Sequence, residues 1–162
     1  MDINQFCDWL QEQAFAVAIG DSSWLFPAIE IVHVFAIALV VGSIAMVDLR
    51  LLGWTNNGRS ASDVIAQFLP VTWIAFAFAV ASGVLMFSTN AAKYSENVPF
   101  RLKMIGLLLA GANMALFHLF TQRRIAKWDT GVTPIGAWMA GACSLLFWIA
   151  IVGAGRWIGF TM

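Results

Sequence analysis

The sequence predicts an all-α integral membrane protein, a four-helix bundle preceded by a short N-terminal interfacial helix. Apolar residues make up 60% of the 162 residues and charged residues only 11%, whereas a soluble domain carries roughly 25% charged residues. The apolar residues gather in four runs, each near or above the ~20 residues that a helix needs to cross a bilayer. Eight tryptophans and thirteen phenylalanines fit the aromatic belts of membrane proteins.

The elements are predicted in chain order within a single transmembrane domain, residues 1–162. The N-terminal segment mixes large apolar and polar residues, which is typical of an amphipathic helix at the membrane surface; an extended leader is the alternative. Asn56-Asn57-Gly58 interrupts the chain after the first span. Pro27 and Pro134 suit the first turns of the first and fourth spans, where a missing N–H costs nothing. The predicted interfacial helix covers residues 3–19, and the predicted spans cover residues 24–52, 64–87, 102–120 and 134–157.

The charges outside the spans predict how the chain is oriented. Four spans place both termini on one face and the loops 50–63 and 123–133 on the other. The loop face carries five basic residues and the face of the termini four. The positive-inside rule therefore places the termini outside, in the periplasm if the protein lies in a bacterial inner membrane. The start MDINQFCDWLQEQ lacks a basic region, so we do not expect a cleaved signal peptide.

Ionisable residues within the apolar runs are the best guide to function. His33 lies in the first run, three residues after Glu30, and the second histidine, His118, lies in the third. Such groups are costly at membrane depth and line a cavity, bind a cofactor or move protons. At ~1.5 Å per residue, His33 lies about 25 Å above Arg50 and His118 about 8 Å above Arg123. We therefore expect that a single haem cannot take both histidines as axial ligands.

A cluster of charged residues shares the predicted depth of His33, and it suggests a haem site in the outer half of the bundle. Lys103 begins the third span, just after Arg101, and Arg156 lies near the end of the fourth. In this interpretation His33 and Lys103 are ligands of the haem iron. Arg101 and Arg156 then lie near the haem propionates, and Glu30 accepts a hydrogen bond from the imidazole. The alternatives are a purely structural His33–Glu30 bond, a snorkelling Lys103 and arginines that only anchor the helix ends.

In the inner half of the bundle, the sequence indicates fewer interaction partners for the ionisable residues His118 and Asp48. His118 is the next candidate for the haem iron, although a structural role is the favoured interpretation. For Asp48 the favoured interpretation is an ion pair with Arg50 or Arg123 at the inner boundary. Glu30 and Asp48 are eighteen residues apart, which predicts nearly the same azimuth on the helix. Together with His33 they would form a polar stripe that faces the bundle.

Several segments resemble an uncharacterised family of bacterial four-helix membrane proteins. They are WLFPAIEIVH, GSIAMVDLRLLG, LPVTWIAF, FRLKM followed by Asn113 and His118, and the closing GRWIG. Together they cover nearly the whole chain, and their combination is fairly specific.

A more distant resemblance concerns the first and third helices. His33, Gly42 and Asp48-Leu49-Arg50 are similar to the first helix of HemJ-type protoporphyrinogen oxidases and of CopD-like membrane proteins. Lys103 stands where HemJ proteins carry a lysine at the head of the third helix. The resemblance implies a b-type haem held by His33 and Lys103. The chain departs from the HemJ pattern in having Asp-Leu-Arg in place of Pro-Arg and a lysine-to-histidine spacing longer by about one turn.

Three classes of function are consistent with these residues. The first is a membrane b-type haem protein in electron transfer, linked to a quinone, and an oxidoreductase if it is an enzyme. The second is a cofactor-free accessory or scaffold subunit of a larger membrane complex, which predicts that His33 bonds Glu30 alone. The third is a CopD-like transport or metal-handling protein, although clusters of the soft ligands that suit copper are missing.

The expected partners follow from the composition and from these classes. They are the lipid bilayer, further copies of the chain or a larger membrane complex, and a quinone. A formal net charge of zero argues against nucleic acid, because proteins that bind it present a basic patch. The sequence contains no phosphate-binding loop, zinc motif or nucleophile elbow that would indicate a substrate.

Overall fold

Four long helices dominate the structure, a computed structural model that describes residues 2–55, 59–129 and 131–161, without the side chains of residues 122–124. The long helices are α3 (Leu25–Leu51), α4 (Ala61–Ser88), α6 (Val98–Leu116) and α7 (Ile135–Thr161). The shorter elements are α1 (Ile3–Gln11), α2 (Ala14–Asp21), α5 (Ala91–Glu96), a π-helical turn (Phe117–Thr121) and a 3-10 segment (Gln122–Lys127). These ranges contain no β-strand.

Each of the four long helices is long and apolar enough to cross a membrane, and the third span continues through the π-helical turn to Thr121. This confirms the predicted all-α fold class with four spans. The predicted span limits fall within four residues of the observed ones. The predicted break at Asn56-Asn57-Gly58 lies outside the described residues. The chain is therefore a multi-pass membrane protein of the helical type.

Local sequence signals determine where the long helices begin and end. Helix α3 ends in a Schellman motif, in which Gly53 adopts a φ of +79° and the N–H groups of Gly53 and Trp54 donate to carbonyls of the last turn at 3.1 and 3.0 Å. A positive φ of this kind favours glycine. Ser60 and Asn97 cap α4 and α6, each accepting a hydrogen bond from the backbone N–H three residues further on.

The N-terminal segment forms two helices, α1 and α2, rather than the single helix predicted over residues 3–19. The chain is interrupted between them because Gln13 has an extended backbone. Helix α1 packs against α5, and the side chain of Gln11 accepts a hydrogen bond from the N–H of Ala92 at 3.3 Å. These short helices cover the end of the bundle at which α3 begins and α4 ends. Their position at a membrane surface stays a prediction.

The long helices pack in the order α4, α3, α7, α6. Helix α3 packs closely on α4, and α6 on α7, while α3 and α7 join the two pairs; α4 and α6 scarcely touch through their backbones. A Cβ atom on Gly141 would lie only 3.2 Å from the carbonyl oxygen of Asp48 and from Cβ of Leu51. The absence of a side chain at Gly141 therefore allows α3 and α7 to approach. One buried layer draws on all four helices: Val40, Ala75, Ala110, Trp148 and Ile151.

Asp129 ties together the two loops at the end of the bundle opposite the termini. Its carboxylate accepts hydrogen bonds from the N–H and the hydroxyl of Ser62 at 2.7 and 2.6 Å. Its carbonyl accepts from the N–H of Ala61 at 3.0 Å and from Arg50 at 3.1 Å. The bonds from Ser62, with the nearby charge of Arg50, hold the pKa of Asp129 below its ordinary value. These contacts confirm that the two loops share one face.

Replacement of Gly141 by alanine tests the close approach of α3 and α7. The added methyl group meets backbone atoms of α3, which cannot move without shifting the helix. We expect the G141A variant to lose about 1–3 kcal/mol of unfolding free energy, the usual cost of overpacking, measured by denaturant titration in mixed micelles. Gly153 in the same helix is the matched control, because nothing lies within 4 Å of a Cβ there. Equal effects of G141A and G153A would contradict this account of the packing.

Candidate functional site

His33 projects into the bundle and contacts α4. Its Nδ1 atom lies 2.9 Å from the hydroxyl oxygen of Ser82. The Ser82 hydroxyl also lies 2.6 Å from the carbonyl of Phe78 and 3.3 Å from that of Ala79. When its proton is donated to the Phe78 carbonyl, the hydroxyl oxygen accepts a hydrogen bond from His33 Nδ1–H, and Nε2 of the neutral imidazole carries a lone pair.

Both candidate ligands in the half of the bundle near the termini lie beside glycines, and one of these glycines makes room for the histidine. A Cβ on Gly83 would lie 3.1 Å from Cε1 of His33, so the imidazole fits into a notch in α4. The ammonium nitrogen of Lys103 lies 3.8 Å from the position of a Cβ on Gly155. Lys103 is half-buried, beside α7 and within electrostatic range of His33. The structure therefore brings His33 and Lys103 into one layer, to which all four long helices contribute.

Glu30 does not join this layer as the polar-stripe prediction supposed. His33 bonds Ser82 instead of Glu30, whose side chain is exposed. The i, i+3 spacing places the two side chains about 60° apart around the helix. As a result, His33 faces the interior of the bundle, whereas Glu30 lies at the surface. Glu30 lies near Tyr94 of α5, whose pKa is raised by burial and by the charge of Glu30.

Arg101 and Arg156 lie at the same end of the bundle, with exposed side chains. Arg101 donates from Nε to the carbonyl of Ser95 at 2.7 Å. The Arg156 guanidinium lies 4.8 Å from the centre of the Phe160 ring, within the range of a cation–π contact. Both arginines therefore have partners at the helix ends, and their contact with haem propionates stays a prediction.

A cavity of about 150 Å³ lies between the four long helices, in the half of the bundle away from His33. Most of its wall is apolar, and its polar residues are Asp48, Thr72, Asn113, His118 and Ser144. His118 thus belongs to a different layer from His33, as the depths of the two residues predicted.

The carboxyl of Asp48 is the most unusual group in the cavity wall. Asp48 is only 5% exposed, and although Ser144 is a polar neighbour, Oδ2 has no hydrogen-bond partner among the described residues. The predicted ion pair with Arg50 is wrong, because that guanidinium donates to the carbonyls of Arg59 and Asp129 at 3.0 and 3.1 Å. Two residues along a helix is a turn of about 200°, which directs Arg50 away from Asp48. The alternative partner, Arg123, is among the residues whose side chains are not described.

His118 lies in the π-helical turn that ends α6. Its Nδ1 atom lies 2.8 Å from the carbonyl oxygen of Met114. A carbonyl only accepts hydrogen bonds, so Nδ1 carries the proton and Nε2 of the neutral ring keeps a lone pair. Asn113 donates from its amide to the carbonyl of Ala140 at 2.9 Å, which leaves its side-chain oxygen as an acceptor. Such π-helical turns occur frequently at functional sites.

Sequence reasoning missed Ser82, which contacts His33, and Ser144, which lines the cavity beside Asp48. Both are small hydroxyl residues within apolar runs, and that pattern was the available signal. Pairing them with a particular histidine or carboxylate requires the register between helices, which one sequence does not contain. Among the residues that the structure describes, no three His, Cys, Asp or Glu side chains come together as metal ligands.

The fold and these two polar layers define a four-span helical membrane protein with ionisable groups in its interior. The chain belongs to the Family of unknown function (DUF6644), whose family model matches residues 6–161. This agrees with the resemblance to an uncharacterised family of membrane proteins. No curated protein and no solved structure matches the chain, and the more distant resemblance to HemJ-type and CopD-like proteins stays a prediction.

Titration of the one tyrosine in the chain tests the position of Glu30. Because Tyr94 is the single tyrosine, tyrosinate absorbance near 295 nm reports this residue alone. We expect its pKa to lie above the ordinary value of about 10 and to fall when Glu30 is replaced by Gln. Since the folded pKa is raised, Tyr94 stabilises the fold fully below the ordinary pKa, and this stability is lost as the pH rises through the folded pKa. An unchanged titration in E30Q would place Glu30 elsewhere.

Replacement of Asp48 by Asn tests whether its buried carboxyl lowers the free energy of unfolding. An amide of the same shape is cheaper to bury than an unpartnered carboxyl. We expect D48N to raise the free energy of unfolding by about 1–3 kcal/mol. Asp63, exposed in the first turn of α4, is the control, and D63N should lower stability slightly by removing a charge that favours the helix N-terminus. A loss of stability in D48N would show that Asp48 has a structural partner.

Proposed function

We propose that the protein is a membrane b-type haem protein that transfers electrons, with His33 as a ligand of the haem iron. The observation that supports this most directly is the contact of His33 Nδ1 with the Ser82 hydroxyl at 2.9 Å. With Nδ1–H donated to that hydroxyl, the Nε2 lone pair is left for a metal. A histidine that binds a metal commonly donates its other ring N–H to a neighbouring acceptor, and this bond holds the ring in place.

Lys103 is the proposed second ligand, bound through its neutral amine. It is half-buried, and it reaches the His33 layer from α6, beside Gly155 of α7. Arg101 and Arg156 are the proposed partners of the propionates, and Glu30 is a further acidic group at that end. The donor chemistry of this layer fits haem, which would supply a one-electron redox centre when bound.

The volume of the inner cavity indicates that the haem site lies elsewhere. Sites for ligands of drug or cofactor size typically measure ~300–1,000 Å³, and the cavity beside Asp48 and His118 measures about 150 Å³. A porphyrin does not fit in that space. The proposed haem therefore lies in the layer of His33, and His118 is the less favoured ligand.

We place the protein in a bacterial inner membrane, with both termini in the periplasm. The support is the excess of basic residues on the opposite face, five against four. In this orientation the proposed haem lies in the periplasmic half of the bilayer. The proposed partners are a membrane quinone and either further copies of the chain or a larger membrane complex.

Replacement of His33 by alanine tests the haem proposal. Wild-type protein, expressed with ample haem and purified, should show a Soret band and, when reduced, sharp α and β bands. We expect the haem content of H33A to fall at least about tenfold, because the ligand and its anchored geometry are both lost. K103A should keep some haem with shifted bands. Lys93, exposed in α5, is the matched control, and K93A should keep the wild-type spectrum.

Two results would overturn the assignment. Normal haem content in H33A, together with loss of haem in H118A, would move the ligand to His118. A wild-type protein that contains no haem under these conditions would favour the accessory or scaffold subunit of a larger complex.

A further inference from the structure

We infer that the cavity bounded by α3, α4, α6 and α7 in the inner half of the bundle binds the head group of a membrane quinol, a single aromatic ring with two hydroxyl groups and a lipid tail. This names the quinone site of the proposed function, and its part in electron transfer rests on that proposal. Binding of the quinol itself does not require haem.

The size of the cavity favours one ring. Its volume is about 150 Å³, and an engineered apolar cavity of about this volume in another protein binds benzene. One six-membered ring therefore fits, whereas a fused ring system or a porphyrin does not.

The polar groups of the cavity favour a ligand that donates hydrogen bonds. The Asp48 carboxyl has an oxygen without a partner and is 5% exposed. The neutral ring of His118 has its lone pair on Nε2, because Nδ1–H is bonded to Met114. The side-chain oxygen of Asn113 is a third acceptor, since the amide group donates to Ala140. A buried acceptor without a donor, as Asp48 Oδ2 is, is costly, and the two hydroxyl groups of a quinol supply donors to this end of the cavity.

The remaining wall suits a flat ring and a lipid tail. Aromatic side chains from three helices line the cavity: Trp73, Phe76, Phe117 and Trp148. Trp73 is 49% exposed, and Gly111 on α6 also lines the cavity and has open space around the position of a Cβ. These two residues lie on the side where α4 and α6 scarcely touch. A tail would leave the cavity there and enter the hydrocarbon of the bilayer directly.

The cavity also extends toward the proposed haem layer. Val40 lines the cavity and lies seven residues after His33 on α3. That separation is about 10 Å along the helix at ~1.5 Å per residue. The head group would thus lie below the His33 layer, inside the same bundle.

The test measures binding of 2-decyl-1,4-hydroquinone, kept reduced under anaerobic conditions, to the purified protein in detergent micelles by tryptophan fluorescence quenching. Two of the tryptophans line the cavity, so a bound ring should quench them with a saturable isotherm. The control ligand is the dimethyl ether of the same quinol, which keeps ring and tail but lacks both O–H donors. We expect it to bind about tenfold more weakly or worse, because Asp48 Oδ2 then stays unpaired. Equal binding of the two ligands, or quenching that does not saturate, overturns the inference.

Variants locate the site. D48L and H118F each remove one acceptor and should weaken quinol binding about tenfold, while leaving binding of the dimethyl ether nearly unchanged. G111L should weaken both ligands by narrowing the mouth. D63N, outside the cavity, should bind as the wild type does. Quinol affinity equal to that of the wild type in both D48L and H118F overturns the inference. If D48L does not fold, H118F alone decides the test.

The same assay separates this inference from the haem proposal. Saturable, donor-dependent binding in H33A or in a haem-free wild type supports the quinol site even where the haem assignment fails. A haem-loaded wild type that binds neither quinol nor ether overturns the quinol site and leaves the haem assignment standing.

Discussion

Inside a bilayer, every polar group must find its hydrogen-bond partner within the protein, and this constraint organises the interior of the bundle. Most hydroxyl groups meet it locally: Ser82 lies within hydrogen-bond distance of a carbonyl of its own helix, and so do Ser43 and Thr72 in the middle layer, whose hydroxyls are also 2.8 Å apart. A serine that donates its proton in this way can only accept further bonds. If Ser82 does so, His33 donates to it from Nδ1 and keeps on Nε2 the lone pair that makes this residue a candidate ligand. Asp48 departs from the rule, because its Oδ2 has no partner among the described residues.

The order of packing explains why two different polar layers exist on one scaffold. Helix α3 supplies both His33 and Asp48 and contacts α4 and α7, so it forms the common wall. Glycines allow a close approach in both layers, with Gly83 beside His33 and Gly141 beside Asp48. Helices α4 and α6 scarcely touch through their backbones, and the proposed quinol would enter on this side.

Much of this arrangement follows from the sequence, and the remainder depends on register between helices. Apolar runs and rise per residue placed the four spans and separated His33 from His118 by depth. They also placed Lys103 near His33. They do not reveal which residue of a neighbouring helix lies opposite His33. Ser82, forty-nine positions along the chain, is therefore not predictable as its partner, and the sequence favours Glu30 instead. The same limit applies to Arg50, whose acceptors are carbonyls of loops, and to the cavity, which needs four helices in place before it exists.

The buried guanidinium of Arg50 links the order of synthesis to the completion of the fold. Arg50 is 3% exposed and donates to a carbonyl on the adjoining loop and to that of Asp129, which precedes the last span. A nascent chain that has inserted only α3 and α4 lacks the second acceptor, and Ala61 and Ser62 at the start of α4 lack theirs as well. The first hairpin is therefore incomplete until the third span has been inserted and the following loop has folded back. A chain truncated before Asp129 would keep the Arg59 acceptor of this guanidinium but lose the second one, together with the acceptors of Ala61 and Ser62.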